Sequence, residues 1–148
     1  MTRFQFLILA LLVIPALAVA SPSRMKIAAD NEPGQRMILT GHLFGADGKP
    51  RGGVTIFAYH TDAQGLYKRD SHGDARLRGT LVTANDGSYE IDTIKPGPYP
   101  GGNIPAHIHF HLRGPGFDQA ETLELSKTLR PGPDGVFRLT YDFRLKGK

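Results

Sequence analysis

Cysteine is absent from all 148 residues, and that absence removes several chemistries at once. Disulfides are excluded, even for a destination where they would form. So are a thiolate zinc site and a cysteine nucleophile. Stability must come from a packed core, and any metal must be held by histidine, tyrosine or carboxylate. Charge of one sign is not concentrated either: 18 basic and 14 acidic side chains give a net +4, spread along the chain. A nucleic-acid surface needs a clustered basic face on a recognisable module. Neither is present, so the charge reads as a mildly basic surface with no nucleic-acid partner.

Long apolar runs are also scarce. The single one, Phe4 to Leu17, follows Met1-Thr2-Arg3 and precedes Ala18-Val19-Ala20. A basic start, an apolar stretch and a small-x-small site describe a cleavable secretory signal over residues 1–20. The run falls short of the ~20 apolar residues of a bilayer span, and no cysteine follows it to carry a lipid. The expectation is an exported protein, periplasmic or secreted, with no membrane attachment after cleavage. Its mature chain has 148 − 20 = 128 residues and, without Arg3, a formal charge of +3. That length suits one domain with a single core. Residues 21–36 are polar and lack a strong period, and read as an N-terminal arm ahead of a domain over 37–148.

Helical periodicity is the third scarcity. No mature segment holds a 3.6-residue apolar repeat long enough for a helix. What is present is 18 Gly and 11 Pro punctuating short apolar runs. Turns fall at Ala46-Asp47-Gly48-Lys49-Pro50, Asn85-Asp86-Gly87 and Pro131-Gly132-Pro133-Asp134-Gly135. Strands are predicted at 37–44, 53–60, 78–84, 88–94, 106–112, 120–126 and 136–145. In the last, Phe137, Leu139, Tyr141, Phe143 and Leu145 alternate with polar residues, the mark of one half-buried strand. The fold class is therefore all-β, a single-domain sandwich or barrel-like unit.

Within it, Pro105-Ala106-His107-Ile108-His109-Phe110 follows closely on Thr93-Ile94-Lys95-Pro96-Gly97-Pro98-Tyr99-Pro100. On a strand, His107, His109 and His111 share one face, while Ile108, Phe110 and Leu112 share the other and must enter the core. Alone, such a histidine face is more often structural than metal-binding. A cupin-type site would want a Glu soon after the pair and a later His, but the next Glu is Glu121 and no His follows His111. The tyrosines alter the picture. Tyr67 lies 99 − 67 = 32 residues before Tyr99, and a phenol with a pKa near ~10 binds as phenolate only to a strongly Lewis-acidic ion. Ferric iron suits hard oxygen donors together with imidazole. Two tyrosinates and a hydroxide balance Fe(III) while both histidines stay neutral.

These stretches, with Gly65-Leu66-Tyr67 and Asp86-Gly87-Ser88-Tyr89, resemble the intradiol ring-cleavage dioxygenases over roughly residues 37–145. Catechol 1,2-dioxygenase and protocatechuate 3,4-dioxygenase are familiar members of that family. The resemblance implies a β-sandwich with its metal site on loops and one strand edge. It implies Tyr67, Tyr99, His107 and His109 as ligands of a non-haem Fe(III). It also implies a catechol-type substrate, O2 as co-substrate and a muconate-type dicarboxylic acid as product. The resemblance further implies a substrate bound as a dianion in place of hydroxide and Tyr99, with Tyr99 taking up a substrate proton while Tyr67 stays bound. Oligomeric state is not implied.

Two positions depart from the family pattern. The family carries an Arg just before the Pro-Ala-His-x-His run, where this chain has Ile104. Arg78, Arg76 or Arg113 is then a candidate substitute, and Ile104 with Arg78 is read as substrate-binding. A Gln on the strand after the histidines falls near Glu124. Tyr59 and Tyr89 read as packing residues, His111 as a support for the ligands or a surface residue, and His42, His60 and His72 as surface or loop residues. Gly41–Pro50 with Gly53–Ile56 also resembles transthyretin-like sandwich modules, so a non-catalytic binding module is one alternative. An iron-binding dioxygenase relative with little activity, owing to Ile104, is the other.

Overall fold

A computed structural model describes residues 22–68 and 74–147. The expected signal segment and His72 therefore lie outside the described residues. Among the described residues nine strands are present: β1 (Ser23–Lys26), β2 (Arg36–Phe44), β3 (Thr55–His60), β4 (Arg78–Val82), β5 (Ser88–Ile94), β6 (His107–Gly114), β7 (Phe117–Glu124), β8 (Phe137–Thr140) and β9 (Phe143–Arg144). Among the described residues there is no helix. The strands form two sheets, one in the order β1-β5-β2-β8 with β9 also on β2, the other in the order β4-β3-β6-β7. The all-β sandwich is what the alternating pattern predicted.

Period-2 alternation explains how the two sheets close on each other. In β6, Ile108, Phe110 and Leu112 are fully enclosed beside Ile56 and Ala58 of the neighbouring β3, and Met37, Leu39 and Leu43 of β2 face this layer from the other sheet with Ile91 of β5. Each of these side chains removes apolar surface from water, and one such burial contributes about 1.5–3 kcal/mol. With its apolar face committed inward, β6 turns His107, His109 and His111 to the opposite face.

Two elements differ from expectation. Residues 21–36 contain β1, which pairs in parallel with β5, Met25 opposite Ile91. Met25 and Ala28 are buried in the core, so this segment belongs to the sandwich. The expected single strand over 136–145 is divided into β8 and β9, although both pair with β2 in one unbroken register, from Met37 with Phe137 to Phe44 with Arg144.

The interruption has a local cause. The Tyr141 carbonyl turns toward Gly41, where an added Cβ would sit 1.9 Å from it. It accepts a 2.6 Å hydrogen bond from the buried Tyr89 hydroxyl. The His42 amide bonds the Asp142 carboxylate at 2.8 Å instead of a ladder carbonyl. Tyr89 is thus a core residue with a polar anchor. Burial, then the nearby Asp142 and Tyr141, push its phenol well above the usual range.

A Gly41→Ala chain should lose at least about 2 kcal/mol, as overpacking against backbone cannot relax cheaply. Tyr89→Phe should lose about 1–3 kcal/mol by leaving a buried carbonyl unpaired. Urea denaturation reads both, and a neutral Gly41→Ala would show that Tyr141 does not lock the strand.

Candidate metal centre

Tyr67 and Tyr99 sit on different loops, so their meeting has to be built by the backbone. After β3, the Asp62 amide bonds the Leu66 carbonyl at 2.9 Å, closing a turn. The Asp62 carboxylate inside it accepts the Gln64 amide at 2.9 Å and the Leu66 amide at 3.0 Å. Burial works against this charge. The two amides and Lys68, whose ammonium is 3.3 Å from the other carboxylate oxygen, nevertheless hold the carboxyl below the usual range.

The same turn grips the Tyr99 loop. The Gly97 amide bonds the Asp62 carbonyl at 2.9 Å, and the Thr61 hydroxyl bonds the Gly97 carbonyl at 3.0 Å. At Gly65, φ is +81° and a Cβ would lie 1.8 Å from the Pro98 carbonyl. Only glycine permits this approach.

His60 adds a buried tie. Its Nδ1 donates to the Thr61 carbonyl at 2.7 Å, and its Nε2 accepts from the Thr93 hydroxyl at 2.7 Å. The side chain was expected at the surface. It is enclosed instead, because both ring nitrogens have partners and its strand neighbour Tyr59 takes the exposed face. Burial pushes its pKa down to about 4.

The four expected donors converge. The Tyr99 hydroxyl lies 3.1 Å from the Tyr67 hydroxyl. His107 Nε2 and His109 Nε2 are also 3.1 Å apart. The Tyr99 and His107 rings meet edge-on at 5.0 Å. His107 Nδ1 is 2.7 Å from the Pro105 carbonyl, which can only accept, so Nδ1 carries the proton and Nε2 presents its lone pair. His109 Nδ1 lies 3.2 Å from the Thr122 hydroxyl. Donation there leaves the lone pair on its Nε2, the atom 3.1 Å from His107 Nε2.

This donor set fits one metal ion. Neighbouring donors held ~2.1 Å from a first-row ion at right angles stand about 3.0 Å apart, close to both observed spacings. Burial, then His107 and His111, push the His109 pKa down, which favours the neutral imidazole a metal needs. Burial pushes the Tyr67 phenol well up, with the Tyr99 hydrogen bond and the Tyr99 and Tyr59 oxygens adding to it. Phenolate there requires a strong Lewis acid in place of the proton. Among the described residues no group of three or more His, Asp or Glu converges; the candidate donors brought together are two phenols and two imidazoles.

A cavity of about 550 Å³ opens on the site, lined by Phe57, Tyr59, Tyr67, Arg78, Tyr99 and His109 among others. Tyr59 stacks on the His109 ring at 4.8 Å, a role that its reading as a packing residue only half captures. Register explains it: Arg78, Tyr59, His109 and Thr122 are cross-strand partners in one row on the outer sheet face. The Arg78 guanidinium donates to the Ala75 carbonyl at 2.6 Å and lies 3.8 Å from Asp74. Arg76 is tied to Glu32 and Arg113 to Asp118, so Arg78 is the one of the three that lines the cavity. Ile104 does not line it. Its side chain is 45% exposed, and its carbonyl accepts the Tyr99 amide at 3.3 Å. Glu124 is opposite His107 in the ladder but exposed. His111 is half-buried, 3.4 Å from Asp118.

Known proteins share this arrangement of strands. A dioxygenase family profile matches residues 15–126, most of the chain. The chain belongs to the intradiol dioxygenase family. Among the family's curated members it is 33% identical over 121 residues to chlorocatechol 1,2-dioxygenase of Rhodococcus opacus, covering 68% of this chain and 47% of that one. It is 38% identical over 99 residues to the protocatechuate 3,4-dioxygenase beta chain of Burkholderia cepacia, covering 57% and 42%. The chain thus spans less than half the length of these relatives. The solved dioxygenase domain of a dioxygenase–carbohydrate-binding fusion from Streptomyces sp. SirexAA-E superposes with a TM-score of 0.64 at 30% identity. That match covers 88% of this chain and 92% of that domain.

His60 gives this member of the family a testable acid response. An unfolded histidine protonates near ~6.5, the folded one near about 4. Between those values the unfolded chain holds the extra proton, so stability is full above ~6.5 and declines as pH falls toward 4, by up to about 3 kcal/mol. His60→Gln should flatten that part of the stability–pH curve. Parallel curves for the two proteins, from urea melts at each pH, would contradict a buried neutral His60.

Proposed function

We propose that this protein is an enzyme, an intradiol dioxygenase that opens a catechol-type aromatic diol with O2 to a muconate-type dicarboxylic acid. It would use a non-haem Fe(III) held by Tyr67, Tyr99, His107 and His109. The observation that carries the reading is the pairing of two phenol oxygens and two imidazole nitrogens, each pair 3.1 Å apart, on the wall of an aromatic-lined cavity. The relatives named chlorocatechol 1,2-dioxygenase and protocatechuate 3,4-dioxygenase support the substrate class. Residues 1–20 support export.

When bound, Fe(III) supplies Lewis acidity and a template that brings a diolate within reach of O2. The chain's own groups do the rest. Pro105 and Thr122 fix the two imidazoles, which stay neutral and leave the charge balance to oxygen donors. Tyr99 would accept a diol proton as a general base within direct reach. Tyr67, whose loop is clamped by the Asp62 turn, would be the fixed phenol of the pair. The faces of Phe57 and Tyr59 accept the flat ring, and Arg78 places a cation at the cavity wall where Ile104 supplies none.

Iron-loaded protein should be red to burgundy from tyrosinate-to-iron charge transfer and should consume O2 with catechols. Colour that shifts with catechol but without O2 uptake would point to the weakly active relative, and a colourless protein would reject the metal. Tyr67→Phe or His109→Ala should abolish the band and retain no iron by metal analysis. Thr122→Val should keep the band but weaken iron affinity about tenfold, measured by chelator competition; an unchanged affinity would mean that Thr122 does not orient His109.

A further inference from the structure

A second cavity, of about 330 Å³, lies behind the loop that carries Tyr99 and shares no lining residue with the first. Its floor is apolar: Ala106, Leu125 and Phe137 line it, each nearly fully buried. Its remaining wall is the turn after β7, pinned where the Leu125 amide bonds the Ala106 carbonyl at 2.8 Å. Lys95, Lys127 and Arg130 line it as well, and no acidic residue does.

The charge at this rim is exceptional for the chain. Elsewhere most of the described basic side chains are matched to carboxylates: Arg24 to Glu90, Arg36 to Asp92, Arg51 to Asp47, Arg76 to Glu32, Arg113 to Asp118, Arg138 to Asp134. Lys26, Lys68, Arg78 and Lys146 are matched too. Among the described residues, that leaves Lys49, Lys95, Lys127, Arg130 and Arg144 without a carboxylate partner, and three of those five line this one cavity. Two of the three are held in place. The Arg130 guanidinium donates to the Lys127 and Leu129 carbonyls at 2.8 and 3.1 Å, with further N–H groups to spare. The Lys95 ammonium stands 5.6 Å over the Phe137 ring.

An apolar floor under unmatched cations calls for an occupant with an apolar body and an anionic head. The volume is at the small end for ligand sites, which suits a small molecule. We propose that this cavity is a binding site for a small apolar carboxylate of the aryl-acid class, separate from the metal centre. The carboxylate would meet Lys95, Lys127 and Arg130, and the hydrocarbon would rest on Leu125 and Phe137. The site does not depend on the metal reading, since it uses none of the same side chains.

Equilibrium dialysis of the iron-loaded protein against trans-cinnamate tests this. One equivalent should bind saturably, trans-cinnamamide should fail to compete, and raised salt should weaken the complex. The double substitution Lys95→Gln with Lys127→Gln should weaken binding at least tenfold while circular dichroism and thermal melting stay as in the parent. Tyr59→Ala, which alters the other cavity, should leave the affinity unchanged. The proposal is overturned by an absence of saturable binding, by equal competition from the amide, by an unaffected double variant, or by loss of binding in Tyr59→Ala. The last result would place cinnamate at the metal centre.

Discussion

The contact between the Asp62 turn and the Gly97–Pro98 backbone decides where everything else in the site can be. Two loops that leave different sheets come within reach of backbone hydrogen bonds, at 2.9 Å from the Gly97 amide to the Asp62 carbonyl. They come so close that residue 65 can carry no side chain. Tyr67 follows one loop and Tyr99 the other, and their hydroxyls meet because the main chains do. Holding two phenols together in this way costs conformational entropy. The buried ties of Asp62, Thr61 and His60 meet that cost within the chain itself, so the two phenols are set in advance.

The histidine half of the site is arranged by a different rule. Pleating alone separates the donor face of β6 from its core face, and cross-strand pairing then delivers Tyr59 on one side and Thr122 on the other. The two halves answer to different forces, loop stitching for the phenols and sheet register for the imidazoles. They join at the Tyr99–His107 ring contact.

This division also explains what could be read in advance. Tyr99, His107 and His109 lie in one short stretch, where spacing and alternation point to a shared face. Tyr67 is far along the chain and became legible only through charge balance and family resemblance. Tyr59 and Thr122 reach the site through the pairing of β3, β6 and β7, a register that no local pattern encodes. His60 looked like any polar residue at a strand end, and its burial depends on Thr93, which comes from the other sheet. Among the strands, β1 was missed because four residues with one buried position carry little periodicity, and parallel pairing leaves no turn between partners. The break between β8 and β9 was hidden by an alternation that runs on through it; its cause is Gly41, on a neighbouring strand.

That break has a consequence for how the molecule meets others like itself. β8 lies at the rim of its sheet, where a long, flat strand would offer free amides and carbonyls to any chain passing by. Here the rim is cut into two short pieces. The Tyr141 carbonyl is turned inward to Tyr89, and the Asp142 carboxylate is engaged with the His42 amide. Arg138 and Arg144 project from what remains. The hydrogen bond that locks the core thereby also takes from the sheet's margin the continuous template on which copies of this chain would stack.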